Sequence, residues 1–94
     1  MQIPRPRFEL GAVAMSPELA TRLGALQLDA AQYLARHATC DWGDVSAEDA
    51  AANTTGMFAF NRLASAYSLP DGSKVLVITE ADRSITTLML STEY

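Results

Sequence analysis

The clearest pattern of apolar and polar positions lies in the last third of the chain. Residues 63–69 alternate as a half-buried strand does, and residues 74–80 are apolar on both faces, which is typical of a central strand. Residues 84–90 are rich in β-branched and apolar side chains and predict a third strand. The turn residues at 70–73 and the short connection at 81–83 make these strands antiparallel neighbours. The pattern therefore predicts a three-stranded antiparallel β-meander.

Earlier in the chain, the pattern predicts a short strand followed by helices. Residues 8–13 alternate well enough to form the strand. A first helix is predicted to begin at Ser16, which can accept a capping hydrogen bond, because Pro17 suits the first helical position. It is expected to end before Gly24. A second helix is predicted from Asp29, with apolar residues on one stripe.

A third helix is predicted from Ser46, where the sequence resembles a capping box with Asp49 in place of the usual Glu. The alanine-rich stretch 47–52 continues it. The weak helix formers at 53–56 predict its end. Residues 57–60 fit either a last apolar turn or the entry to a strand.

Together these elements predict an α+β fold, with two to three helices packed on one face of a four-stranded sheet. The chain has 94 residues, enough for one domain, 1–94, in which residues 1–6 are expected to be a flexible N-terminal segment. The last predicted strand, 84–90, is expected at an edge of the sheet. An uncovered edge invites pairing with a second copy, so a homodimer through this strand is one expectation.

The charge balance bears on the partner. The net charge is −4, the sequence pI is about 4.7, and the Lys and Arg residues are scattered along the chain. Binding to duplex DNA requires a basic face that neutralises phosphates, so direct duplex binding is not expected. The balance favours a protein partner, and a basic one in particular.

Other function classes find little support in the sequence. The N-terminus has no apolar h-region and no apolar run approaches the roughly 20 residues of a membrane span, so a cytoplasmic location without a membrane partner is expected. Zinc needs about four ligands, and the chain has one His and one Cys, Cys40, so no metal is expected. The isolated glycines form no nucleotide loop, and no cofactor is expected.

The loop around Trp42 is a candidate contact site. Trp42 lies between Asp41 and Asp44, and Trp is enriched at the energetic centres of interfaces. The three residues are therefore candidate partner-binding residues. The alternative is that the ring fills the open end of the sheet, with Gly43 allowing the turn.

A second set of residues has the types that metal-independent ribonucleases use. These enzymes combine an acid/base pair with Arg or Lys that holds the phosphate. The only histidine, His37, can titrate near neutrality, although its place near a helix C-terminus also fits a structural role. The candidate catalytic residues are His37, Arg62, Tyr67, Glu80 and Arg83. The structural alternative for the meander residues is a solvated sheet rim.

Several motifs also resemble those of a family of small bacterial proteins found on plasmids and other mobile elements, which are labelled plasmid-related or type I restriction-related. The matching positions are His37, Asp41-Trp42-Gly43-Asp44, Asn53, Arg62, Ser65-Ala66-Tyr67, residues 77–84, Thr86-Thr87 and Glu93-Tyr94. The chain departs from the family pattern at Cys40, where Gly is expected, and at Ser91, where Pro is expected. The resemblance implies a mobile-element setting and no particular activity.

Two functional hypotheses follow. The first is an acidic accessory protein that acts by protein–protein binding, such as an inhibitor of a host defence nuclease or another nucleic-acid-binding complex of the restriction or CRISPR type. The second is a metal-independent ribonuclease or toxin with barnase-like or RelE-like architecture, in which His37 acts with Arg62 and Arg83. The likeness to these two kinds of ribonuclease rests on architecture alone.

Overall fold

The computed structural model describes residues 5–94, so most of the predicted flexible segment 1–6 lies outside the described residues. The elements follow the predicted order. They are β1 (Ala12–Met15), α1 (Pro17–Ala25), α2 (Ala31–Ala38), α3 (Ala47–Ala59), β2 (Leu63–Ser68), β3 (Lys74–Thr79), β4 (Ile85–Leu90) and a final 3₁₀ turn (Ser91–Glu93). Every helix within residues 5–94 is too short or too polar to traverse a lipid bilayer.

The four strands form one mixed sheet in the order β1-β4-β3-β2. β2, β3 and β4 are the predicted antiparallel meander, and β1 lies parallel to β4, with Val13 beside Thr86. The α+β prediction is confirmed, with a sheet that is mixed rather than purely antiparallel. The expectation that strand 84–90 lies at an edge is wrong, because β1 pairs with its outer side. Local sequence patterns do not reveal that pairing, since it joins the two ends of the chain.

The first strand begins later than the predicted segment 8–13. Leu10 contacts β4 before the strand begins, because its carbonyl accepts a hydrogen bond from Thr86 Oγ1 at 2.7 Å. Gly11 then turns the chain with a φ of +67°, and its α-carbon lies against the backbone of Ser84. Phe8 packs against the Trp42 ring instead of pairing in the sheet. The glycine turn therefore separates an aromatic contact segment from the strand proper.

The third helix runs past the weak helix formers at 53–56 and ends at Ala59, so residues 57–60 complete the helix. Two of the weak formers are held by tertiary contacts. Asn53 is bonded to the backbone of Ala64, and Gly56 lies close to the Asn61 side chain. Tertiary packing thus outweighs local propensity here. Phe60 ends the helix in the left-handed conformation.

One face of the sheet carries the hydrophobic core. Strand alternation turns Tyr67, Val75, Val77 and Leu88 toward this face, where α1 and α2 cover them. Each fully buried side chain of this size contributes about 1.5–3 kcal/mol by leaving water. The core residues are Leu19, Leu23, Tyr33, Leu34, Tyr67, Leu69, Val75, Val77, Leu88 and Leu90.

The third helix lies along the outer edge of β2. Asn53 Nδ2 donates to the carbonyl of Ala64 at 2.8 Å, and Asn53 Oδ1 accepts from the Ala64 N–H at 3.2 Å. Farther along the same edge, the Ala66 N–H donates to Trp42 O at 3.1 Å, and the Asp44 N–H donates to Ala66 O at 2.6 Å. Side chain and loop together cover an edge that would otherwise expose unpaired backbone groups.

Candidate functional site

The sheet face opposite the core is open and apolar. Ala64 and Ala66 of β2 and Leu76 and Ile78 of β3 form the floor of a groove of about 450 Å³. α3 lines one side of the groove, and Tyr94, after the final turn, lines another part. We call this feature the open-face groove. Its floor is apolar because β3 is apolar on both faces while α1 and α2 cover only one of them.

Arg62 organises one end of the open-face groove. Its guanidinium donates a hydrogen bond to Tyr94 Oη at 2.9 Å, and the guanidinium carbon lies 5.4 Å from the centroid of the same ring. Arg62 Nε lies 3.7 Å from the Glu80 carboxylate, and both side chains are nearly half exposed. Exposed ion pairs contribute only about 0–1 kcal/mol to stability, so this group matters more for surface charge than for the fold.

Acidic groups lie toward the other end. α3 runs antiparallel to β2, so Asp49 in its first turn lines the groove on the side remote from Arg62. Asp44 accepts a hydrogen bond from Ser68 Oγ. Asp41 accepts from Arg36 Nε at 2.7 Å, and this hydrogen bond holds the pKa of Asp41 below its ordinary value. Of these acids, Asp49 lines the groove, Asp44 is held at Ser68 on β2, and Asp41 is paired with Arg36.

His37 is fully buried beneath the sheet, with 0% of its surface exposed. Its Nδ1 lies 2.6 Å from Ser65 Oγ, and its Nε2 lies 2.9 Å from Thr79 Oγ1. Burial, with a smaller contribution from the charge of Arg83, lowers its pKa to about 4. The imidazole is therefore neutral at pH 7, and both of its nitrogens are occupied within the protein.

The hydrogen-bond chain around His37 defines one tautomer. Thr86 donates to Leu10 O, so its oxygen accepts from Thr79, 2.7 Å away. Since the Thr79 hydroxyl hydrogen is then used, Thr79 accepts from His37 Nε2–H, and Nδ1 accepts from Ser65. Each ring nitrogen has one partner, and the hydroxyls of Thr79 and Thr86 each donate once and accept once. This order ties α2 to β2, β3 and β4.

Arg83 is also buried, and its guanidinium binds backbone carbonyls. Nη1 donates to Asn61 O at 2.7 Å and to Glu80 O at 3.1 Å, and Nη2 donates to Gly56 O at 3.0 Å. The last of these bonds brings a charged donor to a carbonyl near the C-terminal end of α3, where a cation is favourable. Arg83 thus fastens α3 to the β3–β4 turn and has little freedom to hold a phosphate.

Tyr67 and Trp42 lie inside the molecule as well. The Tyr67 hydroxyl donates to Asp41 O at 2.6 Å, and burial raises the pKa of Tyr67 above its ordinary value. Trp42 is only 6% exposed, stacks against Phe8, and donates from Nε1 to Thr54 Oγ1 at 3.3 Å. The Trp42 ring is therefore not available as an exposed anchor. Asp41 and Asp44 remain at the surface beside it.

The predicted site residues thus separate into two groups. His37, Tyr67 and Arg83 are buried and hydrogen-bonded in the protein, whereas Arg62 and Glu80 lie at the open-face groove. The five candidate catalytic residues do not share one solvent-accessible cleft. Within residues 5–94, no cluster of three His, Cys, Asp or Glu side chains is arranged to hold a metal ion.

Sequence reasoning missed most of the groove. Leu76, Ala64 and Asp49 were not candidates, and Tyr94 appeared only among the positions of the family resemblance. One signal could have found the floor: residues 74–80 are apolar on both faces, while the predicted helices were placed on one face only. A strand of this kind leaves an apolar face open. Asp49 and Tyr94 depend on the path of α3 and of the final turn, which local patterns do not give.

Comparison with known proteins gives no relative from which a function could be transferred. A scan against protein-family models finds no match, and searches of curated proteins and of solved structures find no significant match.

Proposed function

We propose that this chain is a non-enzymatic protein-binding protein whose partner occupies the open-face groove. The carrying observation is the groove itself: an apolar floor formed by β2 and β3, in which Ala64 and Leu76 are accessible to solvent, with charged groups at its ends. Protein interfaces combine an apolar centre with a polar rim, and the groove has this arrangement.

The hydrogen bonds that His37 and Arg83 make within the protein support binding over catalysis. A general acid or base must reach the proton it transfers, at about 2.6–3.2 Å or through one water. His37 is 0% exposed and uses both nitrogens inside the protein, and the guanidinium of Arg83 is bound to backbone carbonyls. The hydrogen bonds of both side chains are made to groups of the protein itself, so neither side chain needs a substrate as a partner.

The charges of the surface favour a basic partner. Asp49 lines the groove, Asp44 is exposed at the adjoining end of β2, and the chain carries a net charge of −4. A basic protein surface would gain in encounter rate and orientation from these charges. Nucleic-acid-binding proteins present such surfaces. An inhibitor of a host defence nuclease or nucleic-acid-binding complex, acting in the mobile-element setting that the resemblance implies, therefore fits this surface.

Binding at the groove is tested with a variant that fills it. Ala64 is exposed on the groove floor, so Ala64→Arg adds a long side chain without removing a packed one. Thr21→Arg, on the exposed side of α1, makes the same kind of charge change away from the groove. We expect affinity capture from host lysate to retain the same protein with the wild type and Thr21→Arg, and to lose it with Ala64→Arg.

If the wild type and both variants retain the host protein equally, the partner binds outside the open-face groove. If the wild type retains nothing from any of several hosts, the binding proposal fails.

The ribonuclease hypothesis is the competing proposal and has its own test. Purified wild type and His37→Ala are incubated with single-stranded and structured RNA, and each is expressed in host cells. We expect no cleavage by the wild type and no toxicity. Cleavage by the wild type that is lost in a folded His37→Ala protein would support the enzyme instead.

A further inference from the structure

Within residues 5–94, one edge of the sheet is covered by other parts of the chain, and the opposite edge is not. The β2 edge is covered by Asn53 and by the 42–44 loop. β1 forms the opposite edge. In the part of the chain that the structure describes, no further strand pairs with β1 on its outer side.

The hydrogen bonds of β1 show which of its backbone groups face outward. The N–H of Ala12 donates to Ser84 O at 3.0 Å, and the N–H of Ser16 donates to Leu88 O at 2.9 Å. In a parallel ladder the residues that bond a given neighbour alternate along the strand. The N–H and C=O groups of Val13 and Met15 therefore point away from β4, in the plane of the sheet.

The side chains of the same two residues add apolar surface. Val13 is 48% exposed and Met15 is 41% exposed. Met15 also lines an open groove of about 520 Å³ beside α1, together with Leu23, Gly24 and Leu28. At Gly24 there is open space where a side chain would project. The β1 edge thus combines outward backbone groups with an apolar groove next to them.

The composition of this edge favours a second copy of the chain as its occupant. Residues 11–17 carry no charge, although each copy carries −4 overall, so pairing through β1 brings no like charges into contact. Natural edges are blunted by charges, bulges, Pro or very short strands; of these devices β1 lacks charge but is short and is followed closely by Pro17. Its length of four residues and the Pro17 that follows limit the pairing to this segment.

We propose that two copies associate by antiparallel pairing of β1 with β1 about a twofold axis at Ala14. In this register Val13 of one copy lies opposite Met15 of the other, and each such pair exchanges both backbone hydrogen bonds. The twofold axis is perpendicular to the sheet, so both Val13 side chains stay on the helix-covered side. Each lies beside the groove that Met15 of the other copy lines. The result is one continuous sheet across the dimer, with both open-face grooves left free.

The interface is small, so the dimer is expected to depend on concentration. Stable protein interfaces bury about 1,200–2,000 Å² in total, and a short strand with one groove contact lies at or below the low end of that range. Sedimentation velocity of the full chain over a wide concentration range is therefore the measurement. The wild type is expected to shift from monomer, 10.1 kDa, toward twice that mass.

Two variants test whether association uses the β1 edge. Val13→Arg places a charged side chain opposite Met15 of the partner copy, with the two introduced guanidinium groups diagonal to each other on the same face, and is expected to weaken association by roughly tenfold or more. Gly24→Leu fills the groove beside Met15 while improving helix propensity, and is expected to weaken association too. Ala64→Arg, on the other face of the sheet, is the matched control and should dimerise as the wild type does. Circular dichroism establishes that each variant is folded.

A wild type that remains monomeric at every concentration would overturn the proposal, and so would a Val13→Arg protein that dimerises normally. A monomeric wild type that captures a host protein through β1, with capture lost in Val13→Arg, would also overturn it in favour of strand addition by a foreign chain. The dimer and the open-face groove are tested by different variants, so failure of one leaves the other standing.

Discussion

Asn53 and Ala64 exchange two hydrogen bonds, in which a side-chain amide takes the place of a neighbouring strand along the β2 edge. Asn53→Ala should destabilise the protein by about 1–2 kcal/mol, because water can replace the lost bonds only in part. Thr55→Ala, at an exposed position of the same helix, reports the gain in helix propensity alone and should not destabilise. Urea unfolding of both variants measures the difference. Equal stability of the two would show that the amide adds nothing at this edge.

The buried imidazole of His37 makes stability depend on pH. Its pKa is lowered to about 4 in the folded protein, against about 6.5 when unfolded, so between these values the unfolded state binds more protons. Stability should therefore fall as the pH falls from about 6.5 to about 4, by about 3 kcal/mol in total, and should not depend on this group below pH 4.

His37→Gln keeps hydrogen-bonding capacity without the titration. Whatever its stability at pH 7, this variant should lose most of the pH dependence between pH 6.5 and 4.5. His37 is the only histidine, and the ordinary pKa values of Asp and Glu, about 3.9 and 4.3, lie below that window, so His37 is the main titrating side chain over its upper part. Urea unfolding at several pH values gives the comparison, and an unchanged slope in His37→Gln would mean that another group is responsible.

Two glycines with positive φ should differ sharply in their tolerance of alanine. A β-carbon at Gly43 would collide with the carbonyl oxygen of Ala66, whereas one at Gly72 meets open space. Gly72→Ala should cost about 1 kcal/mol, from backbone strain alone. Gly43→Ala should cost about 3 kcal/mol or more, because the 42–44 loop must move off the β2 edge. Thermal unfolding of the pair distinguishes strain from collision, and equal losses would contradict the close approach of this loop.

Replacing the two arginines near the end of β3 should affect different properties: Arg83 matters for stability and Arg62 for partner capture. Arg83→Ala removes the guanidinium from several backbone carbonyls and should destabilise by about 2–4 kcal/mol. Arg62→Ala should change the free energy of unfolding by less than about 0.5 kcal/mol, since its ion pair with Glu80 is exposed. Arg62→Ala should instead weaken partner capture, because it releases the Tyr94 ring that Arg62 holds at the open-face groove. A stable Arg83→Ala protein would contradict the structural role of that side chain.

The sequence was sufficient for the elements whose signals are local. The meander followed from the apolar pattern of 63–90 and its turns, and the start of α1 followed from Ser16, whose side chain accepts from the N–H of Leu19. The end of α3 did not follow. Residues 53–56 are weak helix formers in isolation, but Asn53 is bonded to the backbone of Ala64 and the Gly56 carbonyl accepts from Arg83. Local propensity cannot register such contacts.

The position of β1 and the role of His37 also depend on distant partners. β1 pairs with β4 from the other end of the chain, and His37 is satisfied by hydroxyl groups from β2 and β3. The sequence alone does not show whether a single histidine is buried or exposed to solvent. For the same reason the open-face groove, which requires the path of α3 beside β2, emerges only in three dimensions.

The central proposal is that a partner protein occupies the open-face groove. Its most direct test is photo-crosslinking in host cells, with a photoreactive phenylalanine derivative at Ala64 in the groove or at Thr21 on α1. We expect a discrete protein adduct from position 64 and none from position 21. No adduct from position 64, or the same adduct from both positions, would contradict the proposal.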